Sequence, residues 1–411
     1  TTVTTVLGIQ YPADSWTNAT PHIVAKTERA LHRTPHHPVA IVAQRIAHFW
    51  STQVPDVHPP MRVVNDMPPV ATPAANFDSL LIAPDHPGRS PSDTYYLNQH
   101  SLLRTHTSAH QAQLLARGVP NFLCIADCYR RDEIDASHYP VFHQMEGFRS
   151  FEASDLKVLT GGASSAFDKV WDPSVNPKQT VHDVAISAAV GHDLVTKLEA
   201  MCRFLFESSQ PLEMRWNKDY FPFTAPSWEL EVKYQGQWLE VLGSGVVQQP
   251  IMDAAHPTRP AGSVVGWAFG LGLERLAMVL FGIPDIRLFW STDPRFLDQF
   301  KDVDPTDPAS LVTFKPFSAY PPCTKDVAFW VPKGTVLVDN NLFDVVRGVA
   351  GDLVENVQQI DRFVHPKTGR ESRCFRIVYR SMDRNVTNDE INAVQDRVRA
   401  ALVNELQVEL R

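Results

Sequence analysis

From Ser318 to Arg411 the chain spells an order of elements that few folds accept. Lys325 to Val331 reads as a strand, Phe343 to Asn356 as a helix, and Gln359 to Val364 and Cys374 to Tyr379 as two more strands. Asn388 to Leu406 reads as a second helix and Val408 to Leu410 as a closing strand. This βαββαβ order is the ferredoxin-like unit, so residues 318–411 are expected to form a domain of their own.

A chain of 411 residues exceeds one ordinary core, and the remainder fits one larger domain. The expected division is 1–290, a linker over 291–317 marked by Asp-Pro pairs, and 318–411. Hydrophobic residues at 44% and charged residues at 20% are those of a soluble globular chain. No apolar run approaches the roughly 18 residues of a membrane span, so no membrane partner is expected. Five scattered cysteines contain no CxxC pair, and an odd number argues against a disulfide framework. They read as reduced thiols. The opening TTVTTVLG has neither a signal core nor an arginine-rich presequence, which leaves open a presequence already removed.

The net charge of −8 looks wrong for a nucleic-acid partner, but it is unevenly spread. Residues 318–411 hold 13 Lys+Arg against 13 Asp+Glu, so the whole deficit lies before them. A local arginine patch in the balanced part still suits RNA.

In the larger part, Asn121 to Glu152 carries the most chemistry. The apolar run Phe122 to Ala126 reads as a buried strand and Val141 to Glu146 as its return. The tip between them bears Arg130, Arg131, Asp132 and His138. An arginine on a rigid strand offers a planar fork for phosphate oxygens, and a solvated surface hairpin is the plainer reading. Phe142, Gln144 and Glu146 fall on one face by alternation. Val39 to Phe49 and Val184 to Phe206 have helical spacing, and 161–179 reads as a loop or insertion. FPFTAPSWELEVKY and QWLEVLGSGVVQQP alternate as strands about a Gln235-Gly236-Gln237 turn.

Gly270-Leu271-Gly272-Leu273-Glu274-Arg275 lacks both the third glycine of a dinucleotide fingerprint and the Gly-Lys-Ser/Thr of a phosphate loop. It places Arg275 in the first turn of a short apolar helix, facing an anionic ligand or a structural carboxylate. Phe221 and Phe223 share one strand face, as core or, with Ala268 and Phe269, as an aromatic slot. Glu240 is either a Mg²⁺ ligand or an exposed strand acid.

Six segments, NFDSLLIAPDHPGR, SDTYYLNQHSLLRTHTSAHQ, YRRDEIDASHYPVFHQMEG, YFPFTAPSWELEV, WLEVLGSG and GWAFGLGLERLAM, resemble in order and spacing the catalytic domain of phenylalanyl-tRNA synthetases. The C-terminal part resembles that family's ferredoxin-fold anticodon-binding domain. The resemblance implies an α+β chain with a class II antiparallel sheet flanked by helices. It implies activation of L-phenylalanine by ATP with Mg²⁺, and transfer to tRNA(Phe). One polypeptide with both modules resembles the organellar form, implying a monomer in the mitochondrial matrix.

On matching positions, Arg130 would bind the α-phosphate as the motif 2 arginine, and Arg275 the ATP tail as the motif 3 arginine. His138 would lie near the pyrophosphate, Phe142 would stack on adenine, and Glu240 would hold the metal. Asp132 stands where the family has glutamate. His106, Ser108, Gln111, Gln144 and Glu146 would surround the amino acid's polar end, and Phe221, Phe223, Ala268 and Phe269 its ring. Apart from the family match, Arg362, Arg373, Arg376 and Arg380 flank or lie within the middle strands of the C-terminal part and read as tRNA contacts, a solvated sheet face being the plainer reading. Motif 1, around residues 39–68, matches only weakly, which removes support for a dimer.

Overall fold

The computed structural model describes residues 2–152, 167, 170–206, 211–316 and 320–411. Part of the loop expected at 161–179, and both Phe317 and Ser318 at the expected domain boundary, lie outside them.

The larger part is organised by a seven-stranded sheet. Its strands are β1 (Arg62–Val64), β2 (Asn121–Tyr129), β3 (Val141–Glu152), β4 (Met214–Lys218), β5 (Thr224–Tyr234), β6 (Gln237–Val247) and β7 (Val264–Gly272). They lie in the order β1-β2-β3-β7-β6-β5-β4. The expected antiparallel sheet is mixed, because β1 runs parallel to β2 while every other neighbour is antiparallel. Three helices accompany it: α1 (Pro38–Thr52), α2 (Val184–Leu205) and α3 (Leu273–Phe281). Pro38 opens α1, where its missing N–H costs nothing, and Gly282 at φ +67° ends α3.

Alternation along the strands divides the buried residues into two layers. Trp50, Trp228, Trp267, Phe269 and Phe281 pack in one, with the helices. Phe122, Phe148, Val247 and Ala268 pack in the other, which also holds the candidate site. The segment expected as a linker joins the first layer: Phe296, Phe300, Val303 and Phe314 are buried there. The Asp-Pro pairs signalled turns, but the phenylalanines between them supply enough apolar surface to anchor the segment.

The C-terminal part contains β8 (Cys323–Trp330), α4 (Asp339–Ala350), β9 (Val354–Val364), β10 (Glu371–Tyr379), α5 (Asn388–Leu406) and β11 (Glu409–Leu410). The sheet order β9-β10-β8-β11 is that of a ferredoxin-like unit. The first helix starts and stops earlier than its spacing suggested. Gly351, at φ +57°, ends it and frees Val354 to Asn356 for the next strand.

The two parts meet along the β2–β3 loop. Four successive carbonyls of that loop are held by the C-terminal part. Asn340 Nδ2 donates to Arg131 O (3.1 Å), and Arg347 Nη2 to Asp132 O (2.7 Å) and Glu133 O (3.1 Å). The Val357 N–H donates to Ile134 O at 3.0 Å. Ile134 itself is buried among Val327, Phe329, Phe375 and the rest of the C-terminal core. Buried Tyr95 donates to Asp344 at 2.7 Å, and Arg131 pairs with the same carboxylate at 3.2 Å.

Candidate active site

A cavity of about 430 Å³ opens on the face of the sheet away from α1–α3. It brings together ten of the expected residues: His106, Ser108, Arg130, Gln144, Glu146, Phe221, Phe223, Glu240, Ala268 and Phe269. Strand alternation explains most of the gathering. Gln144 and Glu146 rise from β3, and Glu146 stands opposite Gly270 of β7. The His106–Ser108 turn comes from outside the sheet and is fixed by Asn76. The Asn76 side chain donates to Thr105 Oγ1 at 2.7 Å and accepts the Thr105 N–H at 3.0 Å.

One end of the cavity is aromatic. The Phe221 and Phe223 rings stack at 5.8 Å, and His106 lies beside Phe223 at 6.5 Å. Phe221 comes so close to β6 that a Cβ on Gly243 would sit 2.6 Å from its ring. That contact requires glycine at this position. Phe269 differs from expectation. It borders the cavity, but its ring stacks on Trp50 of α1 at 5.8 Å, because alternation turns it to the helix side.

Beside the slot, Glu146 is fully buried and neither carboxylate oxygen has a hydrogen-bond partner among the described residues. Burial pushes its pKa up to about 7, partly offset by the neighbouring Ser108 and Thr107 hydroxyls. Both His106 ring nitrogens are likewise buried without partners. Burial, with the Arg130 charge adding to it, lowers the His106 pKa to about 3 and keeps the ring neutral. An unpaired buried carboxyl and imidazole aimed at one cavity are costly unless a ligand completes them. Gln144 Oε1 accepts the Thr107 N–H at 3.3 Å.

The opposite end is charged. Arg130 is exposed, anchored by Nε to the Thr105 carbonyl at 2.9 Å, with its guanidinium 5.1 Å from the centre of the Phe142 ring. Arg275 extends from the first turn of α3 and donates to Glu240 at 3.1 Å. Glu229, which the sequence reading passed over, lines the same end. Burial raises its pKa, and the charges of Glu240, Asp219 and Glu231 raise it further. Alternation within WELEV, with Leu230 and Val232 fully buried, was the available signal for Glu229.

Five expected residues lie outside the cavity lining: Phe142 and Arg275, which contact its Arg130 and Glu240, and three more. Gln111 is buried at the start of the helix after the His106 turn. Asp132 Oδ1 accepts the Glu133 N–H at 2.8 Å, and its carbonyl is held by Arg347 at the domain seam. His138 contacts Asp135 at 2.7 Å. Burial opposes the His138 charge, but the Asp135 hydrogen bond and carboxylate outweigh it and raise the pKa.

Comparison with known proteins follows this geometry. The family profile described as tRNA synthetases class II core domain (F) matches residues 28–183 and 183–300. The profile described as ferredoxin-fold anticodon binding domain matches 318–411. The mitochondrial phenylalanine–tRNA ligase of Mus musculus is 45% identical over 99% of this chain and 88% of its own length. The mitochondrial enzyme of Saccharomyces cerevisiae is 41% identical over 98% and 94%. A probable mitochondrial phenylalanine–tRNA ligase of Drosophila melanogaster is 42% identical over 99% and 92%. The chain belongs to the phenylalanine–tRNA ligase family.

For a phenylalanine–tRNA ligase family member, the C-terminal arginines show an informative arrangement. Arg376 donates twice to Asp326, both at 2.9 Å, and Arg362 donates to Glu371 at 2.9 Å. These two side chains are about half exposed. Arg373 is buried between Glu371 and Asp339, each at 2.6 Å, and Arg380 faces Glu355 at 3.1 Å beside the domain seam. In this arrangement Arg362 and Arg376 present surface, whereas Arg373 supports the fold.

Proposed function

We propose that the chain attaches L-phenylalanine to tRNA(Phe) through a phenylalanyl-adenylate, as a monomer in the mitochondrial matrix. The observation that carries this reading is a single cavity with a phenylalanine-lined slot at one end and Arg130 and Glu240 at the other, where Arg275 reaches in from α3 to pair with Glu240. The mitochondrial names of full-length relatives support the compartment. Nothing in the site favours the alternative of a catalytically inactive RNA-binding relative, since both arginines and the aromatic slot are in place.

The mechanism needs neither a general base nor a covalent enzyme intermediate. The phenylalanine carboxylate is already a nucleophile. It attacks the α-phosphorus of ATP, an oxygen–phosphorus bond forms, and pyrophosphate leaves. Phe221 and Phe223 hold the ring, while ionised Glu146 with Ser108 and Gln144 holds the ammonium group. Neutral His106 lies beside the ring slot without competing for that charge. Arg130 neutralises the α-phosphate as it becomes five-coordinate, Phe142 stacks on adenine, and Arg275 takes the outer phosphates. A ribose hydroxyl of the tRNA's terminal adenosine then attacks the adenylate carbonyl and AMP leaves.

The donor set fits a divalent cation at the charged end. Glu229, Glu240 and Asp219 crowd negative charge there, and burial first, then those neighbouring carboxylates, raise the Glu229 pKa. Glu240 and Glu229 would hold a Mg²⁺ ion, which would supply charge neutralisation at the ATP phosphates. ATP–pyrophosphate exchange, run with each amino acid in turn and followed by tRNA charging, tests the reading. Stimulation by phenylalanine, and about a hundredfold more weakly by tyrosine, is expected, and stimulation by an amino acid with a small polar side chain would overturn it.

Glu146 adds a pH dependence. Its folded pKa, about 7, lies above the 4.5 usual for a glutamate, so the carboxyl is protonated below neutrality and cannot pair with the substrate ammonium. The KM for phenylalanine is expected to fall as pH rises through 7, approaching tenfold per unit on the acid side. Glu146→Gln should flatten that profile while raising KM at pH 8. A KM for phenylalanine that stays constant from pH 6 to 8 in the unaltered protein would remove Glu146 from this role.

A further inference from the structure

The residue beside Arg275 does something different from it. Glu274 is 2% exposed, and both its oxygens go to one residue of β3. Oε2 accepts the His143 backbone N–H at 2.7 Å, and Oε1 lies 2.6 Å from His143 Nδ1. The pairing of β7 with β3 ends at Gly272 opposite Gln144. One step further the chain turns into α3, and the Glu274 carboxylate takes the N–H of His143. His143, fully buried, packs its ring against His32 at 5.2 Å and Trp290 at 6.1 Å.

His143 lies between Phe142 and Gln144, on the opposite face of the strand. Glu274 is likewise the buried sequence neighbour of Arg275, which turns outward from the first turn of α3 to Glu240. Each partner of the buried pair is therefore the sequence neighbour of a group facing ATP: the adenine platform Phe142 on β3, and the phosphate arm Arg275 on α3. We propose that Glu274 and His143 are positioning residues that set the spacing between Phe142 and Arg275, and so the grip on ATP. Neither touches substrate. The proposal rests on the placing of ATP between Phe142 and Arg275 given above. The slot residues Phe221 and Phe223 stand outside the pair, and Gln144, the other neighbour of His143, is held separately by the Thr107 N–H at 3.3 Å, so phenylalanine binding should depend little on it.

The test is ATP–pyrophosphate exchange with full-length protein, with phenylalanine binding measured separately by calorimetry. Glu274→Ala removes both bonds. It is expected to lower kcat/KM for ATP by on the order of ten- to a hundredfold, the usual scale for a displaced supporting contact. The Kd for phenylalanine should stay within about twofold, a limit set by the precision of such titrations. Glu274→Gln still accepts the His143 N–H and is expected to recover most of the loss. Equal losses for ATP and phenylalanine, or no change in the ATP parameters, would overturn the proposal. A Gln variant as impaired as the Ala variant would do so too, because charge rather than position would then matter. If Glu274→Ala does not fold, His143→Ala keeps the main-chain bond and decides: it should weaken ATP use selectively, and unchanged ATP parameters reject the pair. Absence of phenylalanine-dependent exchange in the unaltered protein would reject the functional reading itself, which is a different result.

Discussion

Arg130→Ala and Arg275→Ala are each expected to lower adenylate formation about a hundredfold, or ~3 kcal/mol, the usual loss for one group aimed at developing charge. Both variants should fold normally. Arg275 and Glu240 form an exposed pair, with both side chains more than half accessible, and such pairs contribute little to stability. Arg130 gives up one main-chain contact, to Thr105, and its cover over Phe142. On the proposed reading both arginines act on the same phosphate chain, so the double variant should lose less than the product of the single losses. Exchange rates near those of the unaltered protein, in either single variant, would show that the phosphate clamp lies elsewhere.

Removing residues 318–411 is expected to abolish tRNA charging and to lower, without abolishing, phenylalanine-dependent exchange. The substrate cavity is built wholly from residues before 271, so activation has its own scaffold. The loss of exchange comes from the β2–β3 loop. Its carbonyls from Arg131 to Ile134 lose their donors, and the Arg131 guanidinium loses Asp344. Arg131 is the immediate neighbour of Arg130, so a loosened loop reaches the phosphate clamp directly. On the proposed reading charging depends on anticodon contact, for which the exposed Arg362 and Arg376 would offer cations once they leave Glu371 and Asp326. The two assays on one truncated protein separate the alternatives. Survival of charging would remove the C-terminal domain from tRNA recognition, and loss of both activities would show that the catalytic part cannot stand alone.

Local pattern made much of this legible. The short helix from Leu273 to Phe281 has the expected bounds, because Gly282 and Pro284 punctuate it in sequence as they do in space. Phe142, Gln144 and Glu146 fall on one face because the period of a strand is two. What local pattern could not carry was partnership. The sequence shows that Arg373 borders a strand and Arg376 lies in it, but only the fold brings Asp339 to one and Asp326 to the other. Phe269 illustrates the same limit. Its chemistry suited the slot, and the placing of Trp50 behind the sheet decided otherwise. Likewise the Asp-Pro pairs after 290 suggested a loose connector, whereas Phe296 and Phe300 reach a core contributed by distant helices.

Ile134 belongs by sequence to the catalytic part and by packing to the C-terminal one. A domain that borrows a core side chain cannot melt independently of the segment that lends it. The usual expectation for two modules on one chain is two separate thermal transitions, each with its own enthalpy. Here the shared isoleucine and the bonded carbonyls around it couple the two unfolding events. Heating should therefore give one merged transition, and Ile134→Ala should split it, with the C-terminal module melting first. Covalent continuity alone would not produce that coupling; a few side chains at one loop do.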